Sequence, residues 1–215
     1  MIPLTSQLLL WLIVAFSYAF SMNKQTYMAL FITPYRQVGV LACSLVFIVL
    51  WQIKAGILPG LDLHILGLTA ATLILGWRLC LLSAMLSSLI LLAFNLLSVS
   101  QLALHLVLTV IVPTLLSYTL FLLSYQFLAR HFFVYIFVCA FFSAGIIACI
   151  KITLTAVFYF SIGQYDWNQL ADNYVYISAI IWFPEAMLNA MAITLLITYR
   201  PYWVKTFYDK DYLDS

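Results

Sequence analysis

Seven times along this 215-residue chain an apolar run continues for about the length of a helix before a charge, Pro, Gly or Asn interrupts it. The runs lie at roughly 4–22, 37–57, 63–76, 79–97, 102–127, 133–162 and 173–199. Charge is missing from every face of these segments rather than from one stripe, so no helix built from them has a side suited to water. Lipid is the solvent such a chain matches. Only 7% of its residues are charged and 66% are hydrophobic, whereas an ordinary soluble domain carries about 25% charged residues. In hydrocarbon each backbone N–H and C=O must be paired inside the segment, and the alternating pattern of a barrel strand is absent, so the runs are expected to be helices. The expectation is a single all-α, polytopic membrane domain over residues 1–215: about seven transmembrane helices in one bundle, followed by a tail at 200–215.

The 63–76 run is short, and the Gly76-Trp77-Arg78 break after it is compact. An alternative for 63–97 is a tight hairpin that does not fully cross. The first run has no basic residue before it and Lys24 after it, which predicts a retained helix rather than a cleaved signal.

Orientation follows from the basic residues near helix ends. With the N terminus outside, the inner side receives Lys24, Arg36, Arg78, Arg130, Arg200, Lys205 and Lys210. The outer loops hold Asp62, Asp166 and Asp172, with Lys54 near the outer end of the second helix. An odd number of helices then puts the C-terminal tail in the cytoplasm. Its Arg200-Pro-Tyr-Trp-Val-Lys segment is expected to be an interfacial anchor, with a partner-docking peptide as the alternative. A net charge of +2, spread along the chain, offers no nucleic-acid surface.

Small residues recur at four-residue spacing, as in Ala144 with Ala148 and Ala186 with Ala190, a spacing that lets helices approach closely in lipid. Ala15 with Ala19 on the first helix is the candidate docking face for another membrane subunit. Cys43, Cys80, Cys139 and Cys149 show no CxxC spacing and read as small hydrophobes within apolar runs.

Ionisable residues inside a bilayer each need a partner or a purpose, because insertion costs about 2.5–3.5 kcal/mol apiece. Lys151 in the sixth run and Glu185 in the seventh fall at similar depth and are expected to form an intramembrane ion pair. At the outer surface, His64, His105 and Asp62 belong to one leaflet. Neutral imidazole suits nickel, cobalt, copper and zinc, and a carboxylate completes such a site. The bland alternative is a pair of interfacial histidines satisfied by carbonyls; a third reading is bis-imidazole haem ligation. Phosphate-loop, HExxH and GxSxG motifs are absent, so the chain is expected not to be an enzyme and not to hydrolyse ATP itself.

Residues 58–79, LPGLDLHILGLTAATLILGWRL, resemble the CbiM/NikM family, the membrane substrate-capture subunits of energy-coupling factor ABC transporters for cobalt and nickel. The family's Pro-Gly loop leading to a His-containing helix start is matched by Pro59, Gly60, His64, Leu66 and Gly67. QLALHLVLTVIVP at 101–113 and Pro184-Glu185-Ala186 resemble two later family elements. The resemblance implies seven helices, an external N terminus, His64 as a metal ligand and a location in the bacterial inner membrane. It also implies a cobalt- or nickel-like transition-metal ion, or another small solute, as the cargo captured from the outer side, no cofactor besides such an ion, and a second transmembrane subunit and cytoplasmic ATPases as partners. The family typically begins Met-His and encloses the metal with that second residue; here the start is Met1-Ile2-Pro3, so Asp62 and His105 are expected to compensate. A second function class stays open, a non-transporting assembly or scaffold protein that docks to another membrane complex.

Overall fold

The structure, a computed structural model, describes residues 2–56, 58–208 and 212; Lys210, assigned above to the inner side, lies outside them. Among the described residues five helices have the length and apolarity to cross a membrane: α1 (Leu4–Ser21), α3 (Pro34–Gln52), α6 (Val99–Phe127), α7 (Phe132–Ser161) and α8 (Trp167–Tyr199). Between α1 and α3 lies α2 (Lys24–Ile32), a helix in the stretch between the first two apolar runs. Its start is capped by Asn23, whose side chain accepts from the Thr26 N–H at 3.1 Å. Pro34 then opens α3, where a missing N–H costs nothing.

The third apolar run departs most from expectation. Residues 63–76 are not one helix: Lys54–Ala55 and Leu63–His64 pair as two short antiparallel strands, β1 and β2, and only Leu68–Leu75 is helical, as α4. At about 1.5 Å per residue, eight residues reach about 12 Å, well short of a bilayer core. Trp77–Ala93 forms α5, apolar and 17 residues long. Non-helical backbone at such depth is tolerated only where protein encloses it. Leu61, Leu63 and Leu66 are all buried, so the extended approach to α4 runs inside the bundle rather than along lipid.

Both ends of α4 are completed by distant parts of the chain. At its start, the Glu185 carboxylate of α8 accepts from the backbone N–H groups of Leu66 at 2.6 Å and Gly67 at 2.9 Å, and Asn189 accepts from that of Ala70 at 2.7 Å. The Gly67 and Ala70 amides are donors a helix start leaves open, and that of Leu66 lies just ahead of them. Gly67 takes up φ +69° there, a left-handed conformation that disfavours a side chain. At the other end, the tail N–H groups of Lys205 and Thr206 donate to the carbonyls of Ile74 at 3.0 Å and Leu73 at 3.2 Å. The tail is therefore more than a surface anchor. Val204, Thr206 and Phe207 are buried beneath the bundle, while Tyr202 and Tyr208 stay exposed.

Helices α7 and α8 pack closely along small residues: Ala144, Ala148, Ala186 and Ala190 are buried, and Gly145 lies against the Trp182 indole. Ala15 and Ala19 are exposed on α1, which packs against its neighbours on one side only, through Leu10 and Val14. Wide π turns interrupt the three longest helices, at Leu106–Ile111, Tyr135–Phe142 and Ala171–Val175. The first of these immediately precedes Val112-Pro113. Pro113 has no N–H to offer the preceding turn, and a widened turn is one way a helix accommodates that.

Candidate functional site

At the end of the bundle where α3 finishes, Asp62, His64 and His105 border one cavity of about 80 Å³. That is room for two or three waters at about 30 Å³ each, or for an ion with part of its shell. Two separate chain segments supply these residues. Asp62 and His64 belong to the irregular stretch that leads into α4, and His105 to α6, directly before its π turn. Such turns re-aim the side chains around them and recur at functional sites.

The indole of Trp51, in the last turn of α3, meets both imidazoles edge-on. Its centroid lies 4.9 Å from that of His105 and 6.4 Å from that of His64. Its Nε1 donates to the Leu66 carbonyl at 3.2 Å, which ties this wall to the start of α4. The imidazoles themselves are not satisfied: Nδ1 and Nε2 of His64 and Nε2 of His105 are buried without a hydrogen-bond partner. Buried polar atoms left open in this way cost about 1–3 kcal/mol each unless a ligand or water meets them.

The Pro59-Gly60 turn forms one lip of the cavity. Tyr165 donates its hydroxyl to the Pro59 carbonyl at 2.9 Å, and Gly60 adopts φ +84°. A Cβ at Gly60 would stand 2.5 Å from the Tyr159 hydroxyl, so this position requires glycine on two counts. The Pro-Gly element seen in the sequence thus has a physical reason: it brings bare backbone against Tyr159, another cavity residue.

The expected Lys151–Glu185 ion pair is not formed as a contact. Glu185 spends its carboxylate on the Leu66 and Gly67 amides and on Asn189 Nδ2 at 2.8 Å. The Lys151 ammonium borders the cavity and donates to the Asp62 carbonyl at 3.4 Å. Two clustered backbone dipoles at a helix start, invisible in a one-dimensional reading, took the partner role assigned to lysine. Among the described residues the ion pair within 4.0 Å is Lys54 with Asp62, at 2.8 Å, with side chains 41% and 43% exposed. Asp62 therefore already carries a partner at the mouth of the cavity.

Among the described residues no group of three His, Cys, Asp or Glu side chains is close enough together to hold a metal ion. The donor set the fold brings together is two imidazoles, with Asp62 at the mouth and the hydroxyls of Thr109, Thr155 and Tyr159 around them. The sequence reading missed Trp51, Lys151 as a cavity wall, and the tyrosines. Lone aromatic and hydroxyl residues inside apolar runs carry no signal of their own.

A family model described as the cobalt uptake substrate-specific transmembrane region, CbiM, matches residues 1–203. The chain belongs to the CbiM family. It is accordingly a membrane substrate-capture subunit of the cobalt/nickel energy-coupling factor type, a non-catalytic transport protein of the bacterial inner membrane. Comparison with curated proteins and with solved structures finds no match. CbiM proteins associate with a second transmembrane subunit and with ATPase components. Family membership favours transport over the scaffold reading.

Proposed function

We propose that the cavity between His64 and His105 receives a cobalt- or nickel-like divalent cation from the outer side of the membrane, with Asp62 drawing it to the mouth. The observation that carries this reading is the set of three buried imidazole nitrogens, on two chain segments, that have no partner and border one cavity. Neutral imidazole is the donor type that suits these metals. Lys151 opposes the cation from the far wall, so affinity reflects ligation won against repulsion. The test is calorimetric titration of Co²⁺ and Ni²⁺ into purified protein, His64→Ala and His105→Ala. The reading expects measurable binding that each substitution weakens. Equal and negligible binding by all three would remove it.

The same proposal places the N terminus outside and the C terminus in the cytoplasm, with seven passes counting the half-extended, half-helical segment through α4. Lys24, Arg36, Arg78, Arg130, Arg200 and Lys205 then share the cytoplasmic side. Reporter fusions at residues 2 and 208 should report opposite compartments. For energy, the subunit depends on a second membrane subunit and ATPases, and the Ala15–Ala19 face of α1 is where we place the contact with that second subunit. Ala15→Trp with Ala19→Trp should abolish co-purification of the second subunit while leaving cobalt titration unchanged.

A further inference from the structure

At the opposite end of α3 from Trp51, the charged side chains that border the cavities are, among the described residues, all cations. One of about 280 Å³ is bordered by Arg36 and Lys205, with Tyr35, Tyr202 and Tyr208 around them. Arg78 borders an adjoining cavity of about 110 Å³ that shares Lys205, whose side chain lies across Gly76. Among the described residues none of these three cations has a carboxylate within 4.0 Å. Two donors here, Arg78 Nε and Trp203 Nε1, are buried without a hydrogen-bond partner. Burial pushes the Lys205 ammonium below its ordinary range, and the neighbouring Arg36 and Arg78 charges push it further. Like charges gathered around open donors favour an arriving anion.

Apolar surface adjoins this charge. Gly39, Ile74 and Trp203 border both the cationic cavity and a groove of about 240 Å³ whose lining is wholly apolar, running between α3, α4 and α8 past Ala42, Ala70 and Ala192. An amphiphile with an anionic head and a hydrocarbon tail matches both parts at once, whereas a free anion would use the cationic cavity alone and an apolar helix the groove alone.

We propose that these adjoining cavities form a site for one anionic glycerophospholipid, with its phosphate among Arg36, Arg78 and Lys205 and an acyl chain in the groove between α3 and α8. The site goes beyond the transport reading and uses none of the metal-site residues. Its lipid joins α3, the start of α5 and the tail, and so fastens the tail that closes the end of α4.

The test uses the full chain, purified in mild detergent and exposed to mixed micelles of equal phosphatidylglycerol and phosphatidylcholine, with retained lipid counted by native mass spectrometry. Wild type should retain phosphatidylglycerol preferentially. Arg36→Gln with Arg78→Gln and Lys205→Gln should lower that preference roughly tenfold or more, since each cation near a membrane surface contributes to anionic-lipid binding. Arg36→Lys with Arg78→Lys should keep it. Ala42→Phe, which fills the groove, should reduce retention without altering charge. If the triple variant elutes as aggregate, the single Arg78→Gln variant, expected to lower the preference in part, decides the question. Equal retention of the two lipids by wild type, or an undiminished preference in the glutamine variants, would overturn the proposal. So would displacement of the lipid by glycerol phosphate alone, which would mark a site for free phosphate.

Discussion

The carboxylate of Glu185, midway along α8, accepts a hydrogen bond from the backbone N–H of Gly67 at 2.9 Å and holds the start of the short helix α4 from across the bundle. The same carboxylate reaches the Leu66 N–H, and Asn189 beside it reaches Ala70. With Glu185 only 1% exposed, no water is at hand to replace it. Glu185→Ala should therefore cost about 2–4 kcal/mol, the penalty of leaving buried donors unpaired. Glu185→Gln, which keeps one acceptor oxygen, should cost less. Thermal unfolding in detergent checks both, and an unchanged midpoint for the alanine variant would show that α4 is held by something else.

Lys151 has a predicted effect opposite to that of the imidazoles. Its ammonium borders the cavity and is 6% exposed, so its repulsion of a cation is only weakly screened. Lys151→Met, similar in shape, should tighten Co²⁺ binding by about tenfold or more. Looser binding would mean that lysine positions the Asp62 backbone more than it opposes the metal.

Gly60 tests the lip of the cavity. Gly60→Ala sets a methyl group 2.5 Å from the Tyr159 hydroxyl and forces φ +84° on a residue with a side chain. The strain should cost about 1–3 kcal/mol. Adding Tyr159→Phe removes the hydroxyl from the clash and should recover part of the loss, whereas additive effects would place the cost in the backbone alone.

Lys54 and Asp62 are both more than a third exposed, and exposed pairs contribute about 0–1 kcal/mol. Asp62→Asn should thus leave the unfolding midpoint nearly unchanged. Its expected effect is slower and weaker Co²⁺ capture at low ionic strength, a difference that shrinks as salt is added. A large loss of stability would contradict a role confined to the mouth.

Thr206 reports on the tail. Its hydroxyl donates to the Leu73 carbonyl at 2.9 Å and lies 2.6 Å from that of Tyr135. Thr206→Val keeps the shape and removes both contacts, so about 1–2 kcal/mol of stability should go with it. Limited proteolysis should then cut the tail faster than in wild type.

Lipid as solvent, the helical class and the approximate limits of the long segments were legible in the chain alone, because uninterrupted apolar runs admit few other structures in hydrocarbon. The Pro59-Gly60 element and His64 were legible as well, through their resemblance to a known pattern. Tertiary structure decided what fills the space between segments. It broke 63–76 into strand, turn and short helix, turned Glu185 from the expected partner of Lys151 into the acceptor for Leu66 and Gly67, and set Trp51 against both imidazoles. The reason is physical: apolar periodicity records which solvent a segment faces. The pairing of a buried charge depends on which donors arrive within about 3 Å of it, and backbone amides leave no mark in a list of side chains.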